Sequence, residues 1–430
     1  MLFQELNPDK SVFKAFYRKV DIYMKNMITF KMARLYLCVL LGIQSAIVLA
    51  ADDFILGVST SINDPASVVI AAKGLGSQSI RVDAPWNQME EKIGQYKLPQ
   101  WLVVQLDAMQ KNGIEPLLIL DYGNKVRGID KPKTEAEINA FADYAEWLVK
   151  TLHGKVRMFE IWNEWNNTSG GGSPGSAEDY VKLAKIVYPR LKAAAPDVLF
   201  LGGSPSGGAL RGDWMERFIA AGGYKYCDAV SIHPYTWWEK KMFSPEDAID
   251  VVDNVETMLR KVNKGKDFPL YITEVGWPTH IDEKGTPIST SGAYLARFML
   301  LANARPYVKG VWWFTVFQSG DDNDPDKEHH FGLFDKYKAP KSSAKVYKQV
   351  SQLFASTNDR LKALRNDQEY AVMLPAAADS TMSYIAWKPS KKREARSSFK
   401  YEVITSKGAD NSTADLNDYP VFVEKFSAGK

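Results

Sequence analysis

The chain has 430 residues, with 54 Lys and Arg against 51 Asp and Glu, 45% hydrophobic residues and two cysteines. That length allows two or three ordinary domains or one large barrel with an appendage, and the composition excludes a disordered or low-complexity chain. Two cysteines exclude a disulfide-built scaffold and a thiolate-rich zinc site, while a formal charge of +3 hints only weakly at an anionic partner.

Residues 1–50 form a leader. The run Leu35 to Ala51 is almost wholly apolar, follows Lys25, Lys31 and Arg34, and ends in small residues, which predicts a secretory signal cleaved after Ala50. An uncleaved inner-membrane anchor is the alternative, although the run is shorter than the roughly 20 apolar residues of a comfortable span. Met24, Met27 and Met32 are alternative starts. Removing the leader takes away seven basic and three acidic residues, so the body carries 47 against 48 and a net charge of −1. The hint of an anionic partner, nucleic acid included, goes with it. Cys38 also leaves, and an exported body with only Cys227 suits a bacterial periplasm or the outside of a bacterial cell.

From Phe54 to about Ala355, eight short apolar runs alternate with amphipathic helical stretches. The runs are FILGVST, SIRVD, PLLILD, MFEIWNE, VLFLGG, AVSIHP, LYITEVG and GVWWFTV. Helix starts are marked by Asp64-Pro65, Ser176 and Ser244-Pro245, and helix ends by Gly113 and Gly154. Near-continuous apolar strands imply a fully buried parallel sheet, and eight such units close a (β/α)₈ TIM barrel over residues 51–357. An open doubly wound sheet is less favoured, because GVSTSINDP after the first strand carries no Gly-rich phosphate loop. Residues 358–430 change pattern. EYAVMLP, MSYIAWKP, FKYEVIT and YPVFVEKF predict a small β-rich C-terminal module leaning on the barrel, with the basic turn Lys391-Lys392-Arg393 as a solvated loop.

In such a barrel the strand C-termini face the active site. Those ends present Arg81, Asp83 and Trp86; Asp121 to Asn124; Glu160 to Asn166; His233 and Tyr235; Thr273, Glu274 and Trp277; and Trp312 with Trp313. Two carboxylates on separate strands over one pocket are what glycosidic bond cleavage requires, and Glu164 with Glu274 is the natural pair. Glu160, four residues earlier on the same face, is expected to be a structural hydrogen-bonding group. Eight of the twelve tryptophans lie at or just beyond strand ends, where flat rings would stack on a sugar. His233 lacks companions at zinc spacing, and Asp322 to Asp326 lacks the glycine and the Glu of a calcium loop, so no metal or cofactor is expected.

IRVDAPWNQME, FEIWNEWN, SIHPYT, ITEVGWPT and VWWFTV resemble, in order, the strand-end motifs of clan A retaining glycoside hydrolases. The closest likeness is to glycoside hydrolase family thirty-nine and its exported bacterial exopolysaccharide hydrolases, over about residues 54 to 355. That resemblance implies Glu164 as acid/base and Glu274 as nucleophile. It implies Asn163 on the sugar 2-hydroxyl, Arg81 and Tyr235 holding the nucleophile, and His233 with Trp312 lining the subsite at the scissile bond. Trp86, Trp277 and Trp313 are expected among the substrate-binding residues. Trp165 stands where a proline commonly follows the Asn-Glu pair, so contacts in the Asn166 to Gly175 loop are not carried over. A non-catalytic polysaccharide-binding component and a transglycosylase are the alternatives to hydrolysis.

Overall fold

The computed structural model describes residues 54–423, apart from 61–63, 170, 240–242, 281–284, 358, 367–368, 375–382 and 390–419. The leader, the Lys391 to Arg393 turn and the FKYEVIT run lie outside the described residues. Among those described, no helix is long and apolar enough to cross a membrane.

The eight apolar runs form β1 (Ile55–Ser59), β2 (Ser79–Pro85), β3 (Glu115–Asp121), β4 (Met158–Ile161), β5 (Leu199–Gly203), β6 (Ala229–Ile232), β7 (Leu270–Val275) and β8 (Val308–Trp313). Each pairs in parallel with the next, and β1 pairs with β8, closing the (β/α)₈ barrel. The major helices that follow the strands in turn are α1 (Pro65–Leu75), α2 (Gln100–Asn112), α3 (Glu135–Leu152), α4 (Ala177–Ala194), α5 (Trp214–Ala220), α6 (Pro245–Val262), α7 (Ile288–Asn303) and α8 (Ser342–Ser356).

Local chemistry sets these boundaries. The Asp64 side chain accepts from Ser67 N–H at the start of α1, and Ser244 with Asp247 makes a reciprocal capping box on α6, each helix beginning with proline. Gly113 closes α2 in the left-handed conformation, with φ of 66°. Alternation along the strands then divides the interior. Leu118, Leu120, Phe159 and Ile161 face the helices in the main apolar core, while Arg81 and Glu160 belong to the barrel lumen. β7 breaks the alternation at a register irregularity between Ile272 and Val275, so that the consecutive Thr273 and Glu274 both bond to lumen residues.

The C-terminal segment builds an antiparallel sheet in the order β12-β11-β10-β9, from β9 (Lys362–Arg365), β10 (Tyr370–Met373), β11 (Tyr384–Trp387) and β12 (Val421–Val423). It does lean on the barrel. The buried Trp387 indole donates to Glu246 Oε1 at 2.8 Å, and Glu246 is ion-paired with the buried Arg297 of α7. Arg360 donates to the carbonyls of Asn303, Arg305 and Val308. Covered in this way, α7 is buried from Thr290 to Asn303.

Candidate active site

Arg81 is the hub of the lumen. It rises from β2 into the barrel, is 3% exposed, and donates from Nε to Glu160 Oε2 at 2.8 Å. Its Nη1 donates to Glu274 Oε1 at 2.5 Å and its Nη2 to Asn163 Oδ1 at 2.8 Å. One planar guanidinium thereby fixes side chains from β7, from β4 and from the turn after β4. Glu160 is fully buried and also accepts from Thr273 Oγ1 at 2.7 Å, in keeping with its expected structural place.

The strand carrying Glu164 is shorter than its apolar pattern suggests. β4 stops at Ile161, and Trp162 and Glu164 take left-handed backbone conformations with φ of 68° and 46°. Such conformations cost on the order of 1–3 kcal/mol each in non-glycine residues and need support. Trp162 N–H bonds Leu120 O, Ser204 Oγ donates to Trp162 O at 2.8 Å, and Glu164 N–H bonds Ser204 O at 3.1 Å. Trp165 stacks edge-on against Trp162 with centroids 5.0 Å apart and anchors the following loop, its backbone oxygen accepting from Gly175 N–H. The turn delivers Glu164 to His233. Its Oε1 lies 3.0 Å from His233 Nδ1, and its Oε2 accepts from Asn167 Nδ2 at 2.5 Å.

Glu274, on β7, is 9% exposed and is held on both oxygens, by Arg81 on Oε1 and by Tyr235 Oη on Oε2 at 2.9 Å. Burial opposes its charge, but His233, Arg81 and the Tyr235 hydroxyl outweigh that and hold its carboxyl below the ordinary carboxylate value. Glu164 is bonded by His233 and Asn167 but, among the described residues, by no arginine or lysine, and its side chain is 14% exposed. Burial disfavours a charged His233, yet the charges of Glu274 and Glu164 raise its proton affinity above that of free histidine. Thr273 Oγ1 gives its hydrogen to Glu160 and so accepts from His233 Nε2 at 3.1 Å, leaving Nδ1 facing Glu164. A proton is therefore held between Glu164 and His233.

Glu164, His233 and Glu274 each place one donor atom within 4.8 Å of the others, a spacing that would also suit a cation. The Arg81 guanidinium against Glu274 and the proton drawn to His233 already supply positive charge there, so the set fits proton handling better than a metal.

Arg81, Asn163, Glu164, His233, Tyr235 and Glu274 thus converge, as the sequence suggested. The tryptophans do not. Trp86 is fully buried, bonded to Glu90 and packed on Tyr144. Trp277 and Trp313 are each 2% exposed and pack together on the helix side of the sheet, where Trp277 also meets Phe298 of α7. Trp312 points into the lumen but lies at its base, with its indole donating to Ser79 Oγ at 3.0 Å. Gly57 and Gly310 make that slot, since a Cβ on Gly57 would stand 2.4 Å from the Trp312 ring. None of these four lines the cleft. Trp162 and Trp165 are buried too; of the eight rim tryptophans, Trp237 and Trp238 remain partly exposed.

The aromatic wall near Glu274 instead uses Phe331 against Tyr235, with centroids 5.8 Å apart, and Phe314 against Phe331 at 5.5 Å. Tyr122 accepts from Asn163 Nδ2 at 2.7 Å on the opposite side. Sequence reasoning missed Phe314, Phe331 and Asn167. Phe314 directly follows Trp312-Trp313 and was within reach of the strand-end rule, whereas Phe331 and Asn167 sit on loops whose course no periodicity reveals.

Residues 151–394 match the family described as glycosyl hydrolases family 39. Among solved structures, a family 39 glycoside hydrolase from the gut symbiont Bacteroides cellulosilyticus WH2 is 26% identical, with a TM-score of 0.67, covering 79% of this chain and 71% of that one. A monomeric beta-xylosidase from Caulobacter crescentus CB15 is 19% identical, with a TM-score of 0.58 over 81% and 76% of the two chains. The GH39 enzyme from Xanthomonas axonopodis pv. citri is 17% identical, with a TM-score of 0.54 over 77% and 75%. No curated protein matches the sequence.

Proposed function

The chain belongs to glycosyl hydrolases family 39 and is a glycosidase, and from that premise we propose that it cleaves an exported bacterial polysaccharide by a retaining double displacement at Glu164 and Glu274. The observation that carries this reading is the close, unequal pair of carboxyl groups. One oxygen of Glu164 lies within 4.8 Å of one oxygen of Glu274, a closest approach that fits the roughly 5–5.5 Å between carboxyl groups in retaining enzymes.

The environments divide the roles. Glu274, kept ionised by Arg81, His233 and Tyr235, attacks the anomeric carbon, forming the glycosyl–enzyme bond as the glycosidic C–O bond breaks. Glu164, coupled to His233, passes a proton to the departing oxygen. It then accepts a proton from the water that attacks the anomeric carbon, which releases the sugar and restores the Glu274 carboxylate. Asn163, held between Arg81 and Tyr122, is placed to bond the sugar 2-hydroxyl. Trp237 and Trp238, partly exposed near Phe331, supply stacking surface away from the scissile bond and favour internal attack on a long chain.

The apolar leader supports export to the periplasm or beyond the cell. The test is release of reducing ends from a panel of exported bacterial polysaccharides by wild type, Glu164→Gln and Glu274→Gln. Activity confined to the wild type supports the reading; equal release by all three proteins overturns it.

A further inference from the structure

Two acids beside the proposed nucleophile have no part in the double displacement. Asp83 lies two residues beyond Arg81 on the same face of β2, and Asp121 ends the neighbouring β3, where its strand partner is Pro85. Asp121 is fully buried, and neither of its carboxyl oxygens meets a donor among the described residues. Asp83 is exposed. Arg81 makes its hydrogen bonds to Glu160, Glu274 and Asn163 rather than to either of these acids.

A buried carboxylate without donors is costly, so Asp121 keeps its proton. Burial and the charge of Asp83 both push its proton affinity well above that of a free carboxyl, and Asp83, although its side chain keeps contact with solvent, is raised too by the protein packed around it and by the Glu274 charge. A protonated Asp121 has one hydrogen to donate, and the Asp83 carboxylate beside it is the acceptor.

We propose that Asp83 and Asp121 share one proton and form a sugar-recognition site beside the nucleophile, in which Asp83 accepts hydrogen bonds from hydroxyls of a neutral sugar and rejects a uronic acid. The inference rests on Glu274 being the nucleophile and deepens it by naming the class of sugar. Asp83 is the contact residue, because its carboxylate reaches the solvent of the lumen. Asp121 is a positioning residue; it spends its hydrogen on one side of Asp83 and leaves the other lone pairs for substrate. The Arg81 guanidinium favours negative charge at Asp83, but its hydrogen bonds go to Glu160, Glu274 and Asn163. A sugar carboxylate in this place would face Asp83 with Glu274 and Glu160 nearby, both of which raise the proton affinity of Asp83. A sugar hydroxyl brings the donor the site lacks.

The test follows attachment of 2,4-dinitrophenyl 2-deoxy-2-fluoroglycosides to Glu274 by peptide mass spectrometry, with neutral hexosides compared against the matching hexuronides. This leaving group departs without a proton from Glu164, so the rates report the nucleophile and the recognition site. Neutral sugars are expected to attach about 10- to 100-fold faster than their uronic counterparts, the discrimination of hydrogen bonds to a charged acceptor. Asp83→Ala should lose most of that preference by weakening the inactivator's apparent binding constant rather than its limiting rate. Asp121→Asn retains a donor that cannot titrate, so it should abolish the weakening of neutral-sugar binding that the wild type shows as pH rises and the shared proton leaves. Attachment to Glu274 with no preference, or with hexuronides ahead, overturns the acid-pair inference alone. Unchanged binding constants in Asp83→Ala overturn it as well. Failure of every glycoside to attach at Glu274 overturns the nucleophile assignment and this inference together.

Discussion

Arg81→Met is the most informative single perturbation of the lumen. Arg81 is 3% exposed and neutralises two carboxylates that are themselves almost wholly buried. Without it, Glu160 retains the Thr273 hydroxyl, and Glu274 retains Tyr235 with His233 3.8 Å away. Breaking one buried ion pair costs about 3–5 kcal/mol, mostly from the charge left behind. The two pairs share one arginine and do not add, so about 3–5 kcal/mol is the expected loss at pH 7.5. In the wild type, the lowered proton affinity of Glu274 contributes stability that is present above the carboxylate range and lost as the medium becomes acidic enough to protonate it. In the variant, burial dominates at Glu274 and its carboxyl takes up a proton more readily, which relieves the penalty on the acid side. The gap between wild type and variant should therefore be widest near neutrality and narrow towards pH 4.5. Urea unfolding at the two pH values measures it. A loss below 1 kcal/mol at pH 7.5, or one equal at both pH values, refutes the hub role of Arg81.

Tyr235→Phe removes the hydroxyl on Glu274 Oε2 without changing the ring packing on Phe331, so kcat should fall by about 10- to 100-fold, as for a hydrogen bond to a charged group, with KM little changed. Glu328 keeps contact with solvent, but the protein crowded around it and the Glu164 charge raise it to about 7. A folded carboxyl raised in this way binds an extra proton between the ordinary value and about 7, so its ionisation destabilises the fold as pH rises through that window. Glu328→Gln should match the wild type in thermal stability below pH 4.5 and exceed it above pH 7. Trp387→Phe leaves buried Glu246 short of a donor and should cost about 1.5–3 kcal/mol in unfolding free energy while leaving kcat/KM unchanged, since the C-terminal sheet contributes no described residue to the lumen site.

Eight parallel strands were legible because a sheet buried on both faces must read as continuous apolar runs, and the helix caps at Asp64, Ser176 and Ser244 punctuate them. The chemistry was legible for a related reason: a strand end in a barrel has one open side, and a buried Arg or Glu there must meet a partner. The tryptophans were misread because proximity to a strand end does not fix a face. Trp313 and Trp277 point outwards to α7, and Trp312 drops to the barrel base only because β1 and β8 each contribute a glycine. That slot exists between strands more than two hundred residues apart. The β4 terminus was misplaced by three residues because Trp162 and Glu164 adopt left-handed conformations held by Ser204, a brace contributed by the next strand. Asp83 and Asp121 were visible as strand-end acids, but the pairing proposed for them depends on β2–β3 register and on the lack of any donor to Asp121 among the described residues.

The anomeric configuration of the first-formed product tests the central claim most directly. Proton NMR of a reaction stopped before mutarotation should show the new reducing end in the same configuration as the bond that was cut, as two successive displacements at one carbon require. A first product of inverted configuration would contradict Glu274 as nucleophile, whatever the distance between the two carboxylates.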